Sequence, residues 1–402
     1  MPAVVLPAEL VGDILGTFVL DNPSHAARTP NLASFAAVSR QWYAEATPLL
    51  YRNLYLSSRT RAKLVETLEA NDSLGPLVRE LTLSGGNLDT AEYERLKRAV
   101  ASCTGVTSLS YHCFDPTILE DLTWFVSATW PNLKYLRADQ SAFLFTLLAR
   151  LPSLETLIAS YIEFPAPGTV TPSPPTTRAA TPAPDSSSPS TSPPVRPTFR
   201  LKRFDSGSSP LPAHFHLLTS SSAHTLRSLD LPLSSLTSQD LSPFASLTRL
   251  TLTLAERYLP LPADTVAVAQ RAHGARDDAR LVRRLRRVLA RAEAAGVPLR
   301  TLEVYEPAYA PTGAIARAAI EGEDLLASVP RSVVRLELAT LDALRAGYVA
   351  KAFARGLDGD EGVAGCCLGV KELVLGRKVA AQEGARGMLD VLARRGVRVS
   401  WE

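Results

Sequence analysis

The fold of this chain is decided by a six-residue unit that first reads VRELTL, at residues 78–83. Apolar and polar residues alternate along this unit, which is the period-two signal of a short strand with one buried face. Ten further units of similar form follow it, so the sequence predicts a long series of short strands. They are VTSLSY (106–111), LKYLRA (133–138), LETLIA (154–159), LKRFDS (201–206), LRSLDL (226–231), LTRLTL (247–252), LRTLEV (299–304), VVRLEL (333–338), VKELVL (370–375) and the degenerate VRVSW (397–401).

The stretches between these units predict helices. Asp89 is followed three residues later by Glu92, a capping-box arrangement that starts a helix. Tyr93, Leu96 and Val100 then fall on one helical face. Two more helices are predicted, one from Pro116 onward and one over residues 143–151. Strand, turn and helix thus recur about every 21 to 28 residues in the first part of the array.

That recurrence is the signature of a leucine-rich repeat. One repeat cannot bury its own apolar face, so neighbouring repeats stack, with parallel strands on a concave face and helices on the convex face. The competing interpretation is a doubly wound α/β sheet. It requires longer, almost wholly apolar strands and a glycine-rich phosphate-binding turn, and neither is seen. The predicted fold class is therefore α/β, as an irregular leucine-rich-repeat solenoid.

A different pattern precedes the array, in residues 6–56, which begin LPAELVGDILGTFVL. Pro7 suits the first turn of a helix, and Glu9 complements the helix dipole there. Apolar residues at three- and four-residue steps predict a first helix, and two short helices are predicted after a break at residues 21–30. These helices end near residue 51, and Leu54, Tyr55 and Leu56 predict a junction strand that leads into the array.

This stretch resembles the F-box. The matching features, in order, are the opening LP-x-E-L, the central AAVSRQWY (36–43) and the closing PLLY (48–51), although the spacer between Leu20 and Leu32 is longer than in typical members. In that family the F-box docks on a small Skp-type adaptor. The resemblance implies eight adaptor-facing positions, which are Leu6, Pro7, Leu10, Ile14, Leu15, Val38, Trp42 and Leu50.

An F-box followed by leucine-rich repeats is a known family architecture. The resemblance implies a substrate-recognition subunit of a cullin-type (Skp–cullin–F-box) ubiquitin ligase. The F-box would bind the adaptor, which links to the cullin scaffold, and the repeats would bind a protein target that the sequence does not identify. Such a subunit positions its target and carries no catalytic residue. The alternative hypothesis is a repeat scaffold outside any ligase, with the three helices as a cap, and the longer spacer favours it.

Four domains are predicted from these patterns. An F-box-like helical domain occupies residues 4–54, and the first repeats occupy residues 55–164. A Pro/Ser/Thr-rich insertion at residues 165–198 is predicted to be disordered, because it has too few large apolar residues to offset its ordering entropy. Its Ser-Pro and Thr-Pro pairs have the form of sites for proline-directed kinases, although a passive insertion is the favoured interpretation. The second set of repeats occupies residues 199–402.

Composition excludes several classes of function. A net charge of +3 over 402 residues implies no whole-chain attraction to nucleic acid or membrane. There is no apolar run of membrane-spanning length and no secretory signal, so a cytoplasmic or nuclear location is expected. Four cysteines fit buried thiols better than disulfides or a zinc site. No phosphate-binding loop, nucleophile elbow or HExxH motif occurs, so no enzymatic activity, cofactor or metal is predicted.

Three short segments allow a sharper and a plainer interpretation. Residues 271–291 carry eight arginines, with apolar residues at helical spacing. They predict a repeat helix with its arginines in solvent, whereas nucleic-acid binding would call for interleaved aromatic residues to stack on bases. His214 and His216 fall on one side of an extended segment but lack a third metal ligand. Residues 358–362 resemble the start of a calcium loop without its later ligands, which indicates a solvated turn.

Overall fold

The computed structural model describes most of the predicted repeats, in two compact units. The first unit holds the described residues up to Leu154, and the second holds those from Glu155 onward. The insertion at 165–198, most of the predicted helix at 143–151, the turn at 358–362, Cys113 and Cys366 lie outside the described residues. The described residues are 6–21, 25–84, 88–112, 116–139, 148, 150–159, 199–206, 215–232, 240–253, 276–305, 326, 329–338, 344, 346–354 and 367–401.

Three helices open the first unit: α1 (Ala8–Asp21), α2 (His25–Ala36) and α3 (Arg40–Tyr51). The predicted break at residues 21–30 is wrong in its extent, because α2 begins at His25 and contains Pro30. Ser39 precedes α3, and its Oγ accepts a hydrogen bond from the backbone N–H of Trp42 at 3.3 Å. A serine in this position satisfies a backbone donor that the first turn would otherwise leave unpaired.

Four parallel strands follow in the first unit: β1 (Asn53–Leu56), β2 (Glu80–Ser84), β3 (Ser108–His112) and β4 (Tyr135–Asp139). They pair in sequence order, and their register places the second residue of each strand in one row. Helices α4 (Arg61–Ala70), α5 (Thr90–Ala101) and α6 (Pro116–Thr129) connect successive strands. Each repeat in this part of the chain therefore consists of a strand and the helix that follows it, and the strands of successive repeats are parallel, as predicted.

The second unit contains eight more parallel strands, and those next to each other in sequence are again paired. All the repeat units in the sequence thus form strands. The strands are β5 (Thr156–Ala159), β6 (Arg203–Asp205), β7 (Ser228–Pro232), β8 (Arg249–Thr253), β9 (Thr301–Tyr305), β10 (Arg335–Leu338), β11 (Glu372–Leu375) and β12 (Arg398–Trp401). The helices described between them are Phe215–Ser220, Arg276–Ala294, Ala346–Ala354, Arg377–Ala380 and Ala385–Arg394.

Alternation along the strands separates the core from the surface. From β5 to β11, the residues in the second strand position form one buried apolar row, comprising Leu157, Phe204, Leu229, Leu250, Leu302, Leu336 and Leu373. Each such side chain contributes about 1.5–3 kcal/mol when it leaves water. The first and third positions point to the opposite side, because successive side chains in a strand alternate. We call the surface formed by these positions the open face.

Helix α5 begins where its capping motif predicts. The Asp89 carboxylate accepts a hydrogen bond from the backbone N–H of Glu92 at 2.7 Å. The predicted inner face of α5 is confirmed, since Tyr93, Leu96 and Val100 are all buried. The Tyr93 hydroxyl also donates to Asp121 of α6 at 2.8 Å. This bond links the helices of two successive repeats.

The contacts of Trp130 and of Gly369 show how tightly successive repeats stack. The Trp130 side chain is fully buried, and its indole Nε1–H donates to the carbonyl of Cys103, one repeat earlier, at 2.8 Å. Its ring meets the Phe125 ring edge-on, with 5.5 Å between the centroids. Gly369, in the turn before β11, lies against the backbone of Arg331 in the turn before β10. These contacts leave little space between neighbouring turns.

Candidate functional site

The three N-terminal helices form a small module with its own apolar core. We call α1, α2 and α3 the helical module. Val11, Leu15, Leu32 and Ala46 are buried at its centre. Gln41 of α3 donates a side-chain hydrogen bond to the carbonyl of Leu6 at 2.7 Å, which ties the start of α1 to α3. Partly buried side chains surround the core, namely Leu6, Phe18, Val19, Phe35, Ala36, Trp42, Leu49 and Leu50.

Four of the eight predicted adaptor-facing residues are exposed, and the other four are buried or partly buried. Pro7, Leu10, Ile14 and Val38 are exposed, the last three at 49%, 46% and 64% of their accessible surface. Leu15 is completely buried in the core of the module and therefore cannot contact a partner. The remaining three, Leu6, Trp42 and Leu50, pack partly buried against that core. Leu15 apart, the adaptor-facing role of these residues remains a prediction, and the exposed group offers the most surface for binding.

The exposed apolar residues lie beside a core that is already filled. Leu10 and Ile14 are four residues apart on α1 and so share one helical face. Tyr43 of α3 is also more than half exposed, and the sequence prediction did not include it, although it closes the AAVSRQWY motif. Burial and, to a lesser degree, the nearby Tyr43 raise the pKa of Tyr51. Leu10 and Ile14 therefore form an exposed apolar pair on α1, which we take as the candidate partner-binding surface of the module.

A second candidate surface is the open face of the second unit. The register aligns the first positions of β6 to β10 in one row, which we call the donor row, and the third positions in a row beside it. The donor row consists of Arg203, Ser228, Arg249, Thr301 and Arg335. Four residues of the second row are acidic, and we call these four the carboxylate row. They are Asp205, Asp230, Glu303 and Glu337.

Ion pairs hold the donor row in position. Nη2 of Arg249 lies 2.7 Å from Oε2 of Glu303, and Nε of Arg335 lies 2.5 Å from Oε1 of Glu337. The Glu303 hydrogen bond, followed by its charge, raises the pKa of Arg249. The paired arginine side chains are 44–50% exposed, and Asp205, Glu303 and Glu337 are only 13–22% exposed. Glu372 of β11, which also pairs with Arg335 at 3.5 Å, is 39% exposed. The guanidinium groups are therefore the outermost charges of this surface.

Asp230 is the exception within the carboxylate row. Burial raises the pKa of its carboxyl from the ordinary 3.8 to about 8, and the charges of Asp205 and Glu303 add to the effect. Arg203 and Arg249 act in the opposite direction. Its buried Oδ1 has no hydrogen-bond partner among the described residues. The Asp230 carboxyl therefore holds its proton to a higher pH than an ordinary aspartate does.

This protonation predicts a pH-dependent stability. Between pH 3.8 and about 8, folded Asp230 retains a proton that the unfolded chain releases. The free energy of unfolding should therefore fall as the pH rises through this window. An Asp230→Asn variant lacks this term, so its stability relative to the wild type should increase with pH and level off above about 8. Urea unfolding at pH 5 and pH 9 measures the difference, and a difference that is the same at both values would contradict the assignment.

The parts of the other candidate segments that the structure describes give no ligand site. In helix Arg276–Ala294, Leu285, Val288 and Leu289 are buried while Arg286 and Arg287 are exposed, as expected of a repeat helix. His214 lies outside the described residues, and the extended geometry expected there is wrong, because a helix begins at Phe215. Across the described ranges, no group of acidic, histidine or cysteine side chains is arranged to hold a metal. None of the helices described there has the length and apolar character of a membrane span.

Comparison with known proteins adds little to this geometry. No family model and no curated protein matches the chain. One solved structure with some likeness to it is that of the yeast Rad7 and Elc1 complex, at 13% sequence identity and a TM-score of 0.39. That match covers 96% of this chain and 85% of the other. A likeness of this size carries no inference about binding, so the function has to be argued from the two surfaces.

Proposed function

We propose that this chain is the target-recognition subunit of a cullin-type ubiquitin ligase. In this proposal the helical module binds a Skp-type adaptor, which connects it to the cullin scaffold, and the open face of the repeats binds a protein target. The chain acts by positioning its target and takes no part in bond making. The resemblance of residues 6–56 to the F-box is the sequence basis of the proposal.

The observation that carries the proposal is the exposed apolar group on the helical module. Leu10, Ile14 and Val38 remain in solvent although Val11 and Leu15 next to them fill the core. The module therefore folds without using these side chains. Apolar side chains that stay exposed and do not support the fold are candidates for the centre of a protein interface, where a few residues contribute most of the binding energy.

The structure also weakens the main support for a repeat scaffold outside any ligase. That support was the long spacer between Leu20 and Leu32, which would separate the first two helices. Helix α1 continues to Asp21 and α2 begins at His25. Most residues of the spacer therefore belong to helices, which supports a compact three-helix module.

Adaptor binding gives a direct test. A Leu10→Asp/Ile14→Asp variant should bind a purified Skp-type adaptor about 100-fold more weakly than the wild type, because two apolar contacts are replaced by charges that must lose water. Titration of the full chain with the adaptor measures the change. Leu20→Asp is the matched control, since Leu20 lies on the same helix and is 81% exposed. We expect it to bind within about twofold of the wild type, as is usual for residues outside an interface centre.

The outcomes separate the two hypotheses. All three replaced side chains are exposed, so the thermal unfolding of the variants should match that of the wild type. Loss of binding in the double variant alone supports the ligase subunit. A folded wild-type protein that does not bind the adaptor excludes the adaptor-binding role and leaves the repeat scaffold. Equal weakening by Leu20→Asp would mean that charge on α1, and not the exposed apolar pair, controls binding.

A further inference from the structure

We propose that helix Arg276–Ala294 binds the phosphate backbones of double-helical DNA through the arginines on its solvent side. The contact surface is one side of a helix, so its partner is an extended polymer rather than a small ligand held in a pocket. This inference goes beyond the proposed function, because it concerns neither the helical module nor the open face of the repeats.

The helix separates its apolar side chains from its cationic ones. Leu285, Val288 and Leu289 are buried, whereas Arg287 and Arg291 are exposed. An α-helix turns about 100° per residue, so positions 287 and 291 lie roughly opposite the buried side. The apolar side thus attaches the helix to the repeat array, and the arginines stay in contact with solvent.

Further arginines of this helix fall in line with the exposed pair. The helical period places three more arginine positions on the same side, and we call all five the arginine line, which consists of residues 276, 280, 283, 287 and 291. The acidic residues of the helix, Asp277, Asp278 and Glu293, occupy positions outside this line. Seven arginines and three acidic residues give the helix a net charge of +4, which is more than the +3 of the whole chain. The positive charge of the protein is therefore concentrated on this one element.

The exposed arginines of the line are not neutralised within the described part of the chain. None of the ion pairs found there involves Arg287 or Arg291. Glu293 accepts a hydrogen bond from a backbone N–H in the turn before β10 instead, at 2.9 Å. The Asp240 carboxylate bonds to Ser242, which lowers its pKa more than the charge of Arg291 does. Both guanidinium groups are thus available to a partner.

Helix α5 of the first unit shows that exposed cations of this chain can be paired. Arg95 pairs with Glu69, and Lys97 pairs with Asp121, each at 2.7 Å. The arginine line instead places like charges three and four residues apart, which destabilises a helix. Attachment to the repeats needs only the apolar side of the helix. The unpaired arginines therefore oppose folding slightly, which favours a role in binding.

The side chains around the line favour a phosphate polymer over a protein or a membrane. Ala290 and Ala294 are the described neighbours of Arg287 and Arg291 on the exposed side. The centre of a protein interface is usually built on large apolar or aromatic side chains, and alanine does not supply them. A membrane-bound amphipathic helix inserts its apolar face, and that face is buried here.

The same composition favours a double helix over a single strand. Proteins that bind single strands stack the bases on aromatic side chains, which the line lacks. A duplex keeps its bases stacked inside and presents its phosphates outside, where arginine can bind them without reading the sequence. An α-helix about 10–12 Å wide matches the major groove of B-form DNA, about 12 Å wide, whereas the major groove of duplex RNA is narrow. The line, about 22 Å long, can therefore reach phosphates on both sides of the DNA groove.

A labelled DNA duplex of sixteen base pairs tests the inference on the full chain. Wild-type affinity should fall steeply as salt is added, because each phosphate contact releases counterions. An Arg287→Gln/Arg291→Gln variant should bind at least tenfold more weakly at about 0.1 M salt, and its slope of log affinity against log salt should be smaller by about 2. The matched control is Lys63→Gln/Arg98→Gln, which removes two exposed cations from α4 and α5. It should stay within about twofold of the wild type, since it changes only the total charge.

A second variant separates charge from folding. Arg287→Lys/Arg291→Lys keeps both positive charges, so it should bind the duplex within about threefold of the wild type. Thermal unfolding of the glutamine variant should match that of the wild type, because both replaced side chains are exposed. The inference is overturned if the wild type does not bind the duplex, or if the glutamine variant binds it as tightly as the wild type. It is also overturned if the control variant loses as much affinity, or if a duplex RNA of equal length or a polyglutamate peptide binds more tightly.

The variants also keep this inference distinct from the ligase proposal. Arg287 and Arg291 lie in the second unit, and the exposed apolar group lies in the helical module, so adaptor binding should be unchanged in the arginine variants. Leu10→Asp/Ile14→Asp should likewise leave DNA binding unchanged. Adaptor binding without DNA binding overturns this inference alone, and DNA binding without adaptor binding supports it for a repeat protein that works outside a ligase.

Discussion

Replacing Gly369 by alanine should lower the free energy of unfolding by about 3 kcal/mol or more, the upper part of the range for inserting atoms into a packed site. A Cβ at this position would overlap the carbonyl oxygen of Arg331 and come within 2.9 Å of the Arg331 carbonyl carbon. Backbone atoms cannot rotate away as a side chain can, so the turns before β10 and β11 would have to separate. Urea denaturation, followed by circular dichroism, measures the loss.

Gly387 provides the matched control for this substitution. It lies within helix Ala385–Arg394, and a Cβ there would meet no atom within 4 Å. Gly387→Ala should raise stability by up to about 1 kcal/mol, because alanine is a better helix former than glycine. The two variants add the same methyl group and are expected to act in opposite directions. Equal stability of the two would show that the repeat turns can separate without cost.

A Trp130→Ala variant should lose about 3–5 kcal/mol of stability, the usual cost of removing a large aromatic side chain from a core. The indole fills the space between two repeats of the first unit and packs edge-on against Phe125. Its loss also leaves the carbonyl of Cys103 without the Nε1–H donor. We expect the midpoint of urea unfolding to fall accordingly.

Trp130→Phe separates the two contributions. Phenylalanine keeps much of the buried apolar surface and lacks the N–H group that bonds to Cys103. Its expected cost is about 0.5–1.5 kcal/mol, the net contribution of one hydrogen bond, because the Cys103 carbonyl still accepts from the backbone N–H of Val106 at 3.4 Å. A phenylalanine variant as unstable as the alanine variant would show that the hydrogen bond, and not the packing of the ring, holds these two repeats together.

The strands of this fold were predictable from sequence, and the physical reason is that their signal is local. Alternation in a unit such as LRSLDL depends only on which neighbouring residues are apolar, and every unit of this kind forms a strand. The capping pair Asp89 and Glu92 is local in the same way. By contrast, α2 starts at His25 and passes through Pro30, where helix propensity alone predicts a break. Packing in the helical module overrides that propensity.

The two candidate surfaces were less predictable, because they depend on relations between distant residues. Adjacent Leu10 and Val11 are both apolar, and only packing against α3 decides that the first is exposed and the second buried. The pairing of Arg249 with Glu303 depends on register across the long connection between β8 and β9. Nothing in the local pattern of either strand reveals which residues will lie opposite each other. The raised pKa of Asp230 likewise depends on tertiary structure, chiefly on the burial of its carboxyl and then on the charges of Asp205 and Glu303.

The pairing order of the strands has a consequence for synthesis. Within each unit, every strand lies beside the one that directly precedes it in the chain. A ribosome releases the chain from its amino end at about 5–20 residues per second. When a new repeat leaves the exit tunnel, the strand with which it pairs has therefore already been synthesised. The nascent chain can therefore add one strand at a time to the sheet that has already formed, without waiting for a distant partner strand to be translated.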